Sequence, residues 1–352
     1  MRVGYLLRYW PTRSETFVAR EIRGLLAAGV EVEVLSLGRR EAGGETPAVP
    51  TWWAPTGPRR WLQVPHPASA RRLARWQRPK DALTRTSWLR RVVAERGIDR
   101  VHVHFAGEAL EVAVAAQLEV DVSVTVHAAD LFVPRPSLAE LLRRVQVITV
   151  CEHHRRVLSE RFGVRAVVVR CGIEPERYPL CDPSGAGRRV LCVARDVPKK
   201  NLDQLVETVG HLDGARLRLT ATSPRLRAPH VDLGPARRAD DLYAHAEVFA
   251  MACRIAPDGD RDGVPVALME AMASGLPVVA PAVAGIPELV DDEVGWLVAP
   301  DAPGELLTAL RQALDDPGAR ERRGRAGRER VRAGWTVARQ VQRLGAIWSG
   351  ME

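Results

Sequence analysis

Two carboxylates stand eight positions apart in Asp262-Gly-Val-Pro-Val-Ala-Leu-Met-Glu270, a run that continues into Ala-Met-Ala-Ser-Gly-Leu-Pro277. Gly263-Val264-Pro265 makes a turn after the first acid, and an apolar helix start precedes the second. A loop carboxylate and another one or two helical turns further on can grip two hydroxyl-bearing parts of one extended ligand. The helix N-terminus between them offers unsatisfied backbone N–H groups to an anion. Sugar hydroxyls, ribose hydroxyls and a diphosphate would use all three features. That chemistry points to a nucleotide-sugar site.

A metal reading competes for the same residues. Asp258-Gly-Asp260-Arg-Asp262-Gly263 opens like a calcium loop, but such a loop needs a bidentate Glu at its twelfth position. Met269 stands there and Glu270 comes one residue late, so no metal is expected. The Asp-x-Asp pairs also leave open a metal–diphosphate site, and the plain alternative is a solvated acidic loop.

Three further clusters carry polar chemistry. In Val193-Ala-Arg195-Asp-Val-Pro-Lys199-Lys200-Asn201, a cation at a strand end and another five residues on can converge on a diphosphate. A following helix would add the partial positive charge of its dipole; otherwise the run is a solvated basic turn. Val124-Thr-Val-His127-Ala-Ala-Asp130 reads as a buried strand ending in His. Ligands of α/β proteins bind at such strand ends, although a lone His is often only a satisfied structural group. His102 and His104 alternate along the preceding strand, and His104 reads as packing. Ser14-Glu15-Thr16 lies in the first strand-to-helix loop, where Ser14 either caps the helix or meets an acceptor.

The elements that must position these residues alternate between β-rich and helical patterns, which argues for parallel sheets covered by helices on both faces. Strands are expected near Val3–Leu7, Val30–Leu37, Arg100–Phe105, Val122–His127, Val147–Cys151 and Ala166–Arg170. A second series covers Arg189–Ala194, Leu217–Thr220, Val248–Met251, Val278–Ala280 and Trp296–Val298. Helices fall near 15–28, 107–118 and 153–162, and the Pro-, Gly- and Thr-rich segment 41–60 reads as an exposed connection. The 352 residues favour two domains, with a linker in the Pro- and Gly-bearing stretch Cys171–Gly187.

The formal charge of +8 is concentrated. Between Arg59 and Arg91 ten basic residues stand against the single acid Asp81, so the rest of the chain is near neutral. Trp52, Trp53, Trp61, Trp76 and Trp88 lie in or beside that window. Basic residues interleaved with Trp suit an anionic membrane surface; packed tryptophans on a helix with a solvated basic face explain them equally well. No nucleic-acid motif accompanies the charge, so nucleic acid is not an expected partner. The five cysteines form no ligand-like spacing and read as reduced thiols. The only apolar run before Arg8 is Val3–Leu7, too short for a signal peptide, and no stretch approaches the ~20 residues of a membrane span. A cytoplasmic protein is expected.

The 262–279 run resembles the paired-acid signature of the retaining glycosyltransferases of GT-B fold known as family four, or group 1. It matches at Gly263, Pro265, Glu270, Ala271, Met272, Ala273, Gly275, Pro277, Val278 and Val279, with Asp262 replacing the usual Glu. The 193–201 run is similar to the family's Gly-Arg-Leu-x-x-x-Lys-Gly, with Ala194 and Asn201 in place of glycines. Thr125-Val-His127-Ala-Ala-Asp130 resembles its Thr-x-His-x-x-Asp, and Ser14-Glu15-Thr16-Phe17 resembles a motif of its polysaccharide-building branch. Arg170–Tyr178 resembles the family hinge, and Ala284-Gly285-Ile-Pro-Glu288 the loop after the signature.

The resemblance implies two doubly wound Rossmann-like domains facing across a cleft. Residues 1–171 would be the acceptor-side domain, 172–187 the linker, 188–334 the nucleotide-sugar domain, and 335–352 a helix crossing back. It implies that Arg195 and Lys200 hold the donor diphosphate, Glu270 the ribose, Asp262 the transferred sugar, and that His127 touches sugar or phosphate. Gly263, Val264, Pro265 and Gly285 would frame the donor; Ser14, Glu15, Thr16 and Asp130 would lie toward the acceptor. The implied reaction is retaining and metal-independent, from a nucleotide sugar, with a UDP sugar as the expected donor. The acceptor would be a glycan or a lipid-linked intermediate at the inner face of a membrane. A soluble acceptor such as an aminocyclitol, and a nucleotide-sugar binding module without turnover, remain open alternatives.

Overall fold

Strands buried on both faces need apolar residues at successive positions, and this chain supplies them as short Val- and Leu-rich runs. The computed structural model describes residues 1–12, 15–39, 46–56, 79–133, 137–181, 187–235 and 242–351. Ser14 and residues 57–78 of the basic Trp-bearing window lie outside the described residues, as do the side chains of 79–82. The chain divides into two compact units. Unit 1 comprises Met1–Val150, Arg155–Val169 and Val341–Glu352; unit 2 comprises Cys151–His154 and Arg170–Gln340.

Unit 1 holds a seven-stranded sheet of β1 (Arg2–Leu7), β2 (Glu31–Ser36), β3 (Thr51–Trp53), β4 (Arg100–His104), β5 (Asp121–Val126), β6 (Gln146–Thr149) and β7 (Val167–Val168). The strands are parallel, in the order β3-β2-β1-β4-β5-β6-β7. Unit 2 holds a parallel six-stranded sheet of β8 (Arg189–Cys192), β9 (Arg216–Leu219), β10 (Val231–Leu233), β11 (Val248–Ala250), β12 (Val278–Pro281) and β13 (Gly295–Val298). Its order is β10-β9-β8-β11-β12-β13. Each order reverses once, between β1 and β4 and between β8 and β11. Loops at such a reversal part to opposite faces and leave a crevice at the strand C-termini.

The packing follows the two-residue period of a strand. In β12, Val278 and Ala280 pack with Leu268, Met269 and Met272 of the Val266–Ala273 helix. Val279 packs on the other face with Leu205 and Leu310. In unit 1, Val101, Val103, Val124 and Val126 join Leu110 and Ala113 of the Glu108–Ala116 helix.

Within 41–60, the described residues 46–56 depart in part from the reading as an exposed connection. Thr51–Trp53 forms the edge strand β3, with Thr51 opposite Val34, and the Trp52 indole donates to Glu33 at 2.7 Å. That pairing is tertiary, and local turn-forming residues hid it. β10 is likewise an added edge strand. In the described part of the basic window, Trp88 is buried, Arg85 pairs with Glu108, and Arg90 donates to the Ala116 and Gln117 carbonyls. Those two arginines serve the fold. Among the described residues no helix is long and apolar enough to cross a membrane.

The Arg-rich helix Pro317–Gly334 is likewise no plain solvated face. Arg328 donates to the Ala273 and Tyr178 carbonyls, and Arg323 lies over the Trp296 ring at 4.1 Å. Its closest approach is at Gly324, where an added Cβ would stand 2.0 Å from the Gly275 carbonyl oxygen. The last helix, Val337–Trp348, belongs to unit 1 from Val341 onward. There the Trp348 ring packs 5.3 Å from that of His102. Gly324→Ala is expected to destabilise unit 2 by about 1–3 kcal/mol through overpacking, read by urea denaturation. Gly304→Ala, where nothing lies within 4 Å, serves as the silent control.

Candidate active site

Unit 2 brings its charged residues together at its strand-order reversal. β8 leads into the 193–201 loop, and β11 leads into the loop that carries Asp262. The Lys200 ammonium lies 2.7 Å from Asp262 Oδ2; Lys199 lies 3.0 Å from Asp260 and 3.7 Å from Asp262. Cys253 adds a thiol contact to Asp262 at 3.3 Å. Burial alone would push the Asp262 carboxyl up, but the Lys200 and Lys199 charges outweigh it and hold it below the ordinary range. Burial likewise pulls against the Lys200 ammonium, and Asp262 reverses the balance, so its pKa is raised. Both groups stay charged near neutral pH.

Asp260 and Asp262 therefore face lysine ammoniums, and Asp258 accepts the backbone N–H of Asp260 at 3.0 Å. Met269, at the position a calcium loop would give to Glu, is fully buried. Arg195 is exposed and makes no ion pair among the described residues. Asp196 beside it is held by Arg225, which also pairs with Asp203. Asn201 sits at φ 48°, ψ 46°, immediately before the Leu202–Gly210 helix. That left-handed conformation explains why Asn can stand where the family motif has glycine, since Asn tolerates it better than most residues.

Glu270 lies within the Val266–Ala273 helix, a little over one turn from its start. Both of its carboxylate oxygens accept phenolic O–H groups: Oε1 from Tyr178 at 2.9 Å and Oε2 from Tyr243 at 2.8 Å. Neither tyrosine was singled out in the sequence. Tyr178 comes from the hinge-like run and Tyr243 lies 27 residues before Glu270, so no local spacing links the three. The loop after β12 turns back on the signature. Gly285 N–H donates to the Gly263 carbonyl at 3.2 Å, and a Cβ on Gly285 would meet Val264 Cγ2 at 2.8 Å. Pro265 is the residue before the helix. Glu288, from the same loop, accepts the backbone N–H groups of Glu152 and His153 at 3.0 and 2.9 Å, capping the Glu152–Phe162 helix.

In unit 1, His127 follows β5 and precedes the Ala128–Phe132 helix. Its backbone N–H is accepted by Asp130 at 2.9 Å, so the buried Asp130 carboxylate holds the turn that presents His127. The His127 ring lies 4.9 Å from Phe17 and 4.5 Å from Phe105. Its Nε2 is 3.2 Å from Nδ1 of His104. His104, read from sequence as packing, is indeed buried, but it is also hydrogen-bonded to Glu21 at 2.8 Å. Glu21 escaped notice because a Glu on an amphipathic helix normally faces water. Glu15 begins the Thr16–Ala27 helix without a side-chain cap, and Thr16 is exposed.

Known proteins resemble this chain in sequence and fold. The family model described as Glycosyltransferase Family 4 matches residues 14–177, and the one described as Glycosyl transferases group 1 matches residues 187–316. The chain is 28% identical over 370 residues to an Escherichia coli K12 protein named as a colanic acid biosynthesis glycosyltransferase, covering 89% of this chain and 90% of that one. It is 29% identical over 288 residues to a Mycobacterium tuberculosis protein named as a GDP-mannose-dependent phosphatidylinositol monomannoside mannosyltransferase, covering 70% and 74%. Among solved structures, sucrose-phosphate synthase of Thermosynechococcus elongatus superposes with a TM-score of 0.76 at 18% identity over 100% of this chain and 99% of that one. Anabaena HepE, solved with UDP-glucose, superposes with a TM-score of 0.76 at 16% identity over 99% and 100%. The fold is GT-B, and the chain belongs to the family 4, group 1, glycosyltransferases.

The Lys200–Asp262 pair sets a pH signature. Because the folded-state Asp262 pKa is depressed, its contribution to stability is present above the unfolded value of about 3.9 and is lost as pH falls through the folded value. Asp262→Asn is expected to lower stability at pH 7, and its gap to the parent should shrink as the pH drops from 5 to 3. Thermal melts of both proteins across that range provide the check; a pH-independent gap would remove the electrostatic account.

Proposed function

We propose that this glycosyltransferase moves a sugar from a nucleoside diphosphate sugar to a hydroxyl of a glycan or lipid-linked acceptor, retaining anomeric configuration and using no metal. The observation that carries this reading is the convergence of Lys200 and Asp262 from the loops after β8 and β11. Negative charge develops on the β-phosphate oxygen as the glycosidic bond breaks. Lys200 and Arg195 supply preorganised positive charge there, joined by the N-terminus of the Leu202–Gly210 helix. Asp262 then takes hydroxyls of the transferred sugar. Glu270, held still by Tyr178 and Tyr243, meets the ribose hydroxyls as an already oriented acceptor. Gly263, Val264, Pro265 and Gly285 form the close-packed loop pair beside it. The resemblance of the Thr125–Asp130 run gives His127 a contact with the sugar or phosphate. On leaving, the phosphate oxygen accepts the acceptor's proton on the same face, which preserves configuration.

Two pointers differ on the base. UDP accompanies a structural neighbour at 16% identity. GDP-mannose is in the name of a relative at 29% identity. The higher identity favours a guanosine donor, with the UDP sugar as the second reading. Relatives named for polysaccharide and glycolipid assembly support a glycan or lipid-linked acceptor over a soluble aminocyclitol. A peripheral place at a membrane suits such an acceptor, and sedimentation with anionic vesicles tests it.

Thermal stability against GDP, UDP, ADP and their sugars, with and without EDTA, tests the donor reading. A ligand at a hundred times its dissociation constant adds about 2.7 kcal/mol, a shift of several degrees. One selective nucleotide, indifferent to EDTA, is expected; a shift that vanishes with EDTA would overturn the metal-free reading. In turnover with the responding donor, Glu270→Gln is expected to raise donor KM about tenfold or more, the size of a lost charged hydrogen bond. An NMR assay should find the product anomer equal to that of the donor, and the opposite anomer would exclude retention.

A further inference from the structure

Unit 1 contains a row of buried polar side chains that the proposed chemistry does not require for binding. Tyr5 Oη donates to Glu21 Oε1 at 2.5 Å, and the same oxygen lies 2.8 Å from Nε2 of His104. His104 Nδ1 continues to His127 Nε2 at 3.2 Å. Tyr5, Glu21 and His104 are 0, 1 and 3% exposed. They come from β1, from the Thr16–Ala27 helix and from the end of β4, beside the point where the strand order reverses. A carboxylate placed there costs far more than an apolar side chain unless it is well hydrogen-bonded. Glu21 is therefore a poor choice for packing alone.

We propose that Glu21, acting through His104, is a positioning residue for His127: the row Tyr5–Glu21–His104–His127 fixes the tautomer and ring orientation of the imidazole at the end of β5. The inference rests on the role given to His127 above. An ionised carboxylate only accepts, so His104 must carry its proton on Nε2. With one proton on each ring, His104 Nδ1 is then the acceptor, and His127 must donate from its own Nε2. Each hydrogen bond in the row has one allowed direction. The tautomer of a functional imidazole is commonly set in this way, by the partner of its second nitrogen.

Two further observations agree. Burial alone would push the Glu21 carboxyl up, but His104, aided by His102 and the Tyr5 hydroxyl, outweighs it and brings it to about 2, so it stays an acceptor at all ordinary pH. Phe105, next to His104, sits at φ 68°, a strained conformation for a bulky residue. That backbone turn places its ring against His127 while Phe17 covers another side. The rings restrict the plane of the imidazole, and the hydrogen-bonded row restricts its rotation and protonation.

A metal centre of Glu21, His102 and His104 is the competing reading, since their ligand atoms lie within 4.8 Å of one another. Two ligands about 2.0–2.1 Å from a tetrahedral zinc stand about 3.3 Å or more apart. The 2.8 Å between Glu21 Oε1 and His104 Nε2 fits a shared proton instead. His102 has both ring nitrogens engaged, with Ser123 at 2.9 Å and Thr125 at 3.1 Å. Its pKa falls to about 3, chiefly through burial, so it remains neutral.

Long-range proton–nitrogen correlation spectra of the ligand-free protein at pH 8, with His127 assigned by His127→Asn, test the proposal. His127 is expected as a single Nε2–H tautomer in the parent and as a mixture in Glu21→Gln, whose amide can present either a donor or an acceptor. In turnover, Glu21→Gln should lower kcat about tenfold with donor KM changed less than twofold. His104→Gln, which interrupts the row one step later, gives the same reading of His127 if Glu21→Gln fails to fold. An unchanged His127 tautomer in either folded variant overturns the proposal, as does one equivalent of tightly held zinc in the purified protein. The spectra need no substrate. Full activity in His127→Ala would instead overturn the role assigned to His127 and leave the tautomer measurement standing.

Discussion

The ion pair between Lys200 and Asp262 joins the two loops on which the proposed chemistry of unit 2 depends. Each partner alone would be a half-buried charge with a large desolvation cost. Together they keep a cation and an anion charged, side by side, at the C-terminal ends of β8 and β11. A sugar linked to a diphosphate asks for that combination, negative charge at one end and hydroxyl donors at the other. The parallel sheet makes the meeting inevitable once the strand order reverses, because every strand delivers its following loop to the same edge.

Around that pair the unit restrains its own functional groups. Two phenols fix Glu270, the Gly285 loop is pinned to Gly263, and Asn201 absorbs the left-handed turn into the Leu202–Gly210 helix. Arg328 of the Arg-rich helix reaches the carbonyl end of the signature helix. Preorganisation of this kind matters more for transition-state stabilisation than extra binding contacts, since the dipoles need not reorient as charge develops. Unit 1 uses a related device, a buried carboxylate joined to two imidazoles by a row of hydrogen bonds with one direction.

Periodicity exposed most of the fold. Eleven strands anticipated from apolar runs lie within two residues, at either end, of those observed. β3 and β10 were hidden because each is a three-residue run with no fully buried residue that owes its existence to a neighbour. Asp262, Glu270, Lys200 and His127 could be singled out as candidates because motif spacing is short in sequence. The partners that orient them, Tyr178, Tyr243, His104 and Glu21, were not, since they arrive from elements 23 to 106 positions from the groups they hold. Arg195 and Lys200 read alike in the motif, yet one is exposed and the other is locked to Asp262.

By itself the sequence determined the architecture class, the family and the chemical types at the site, because hydrophobic period and short motifs are properties of neighbouring residues. Tertiary structure decided which acid meets which base, which carboxylates stay ionised in the interior, and which nitrogen of an imidazole is committed to a partner. Those outcomes depend on distance and local dielectric, and both arise only when strands far apart in the chain are brought side by side.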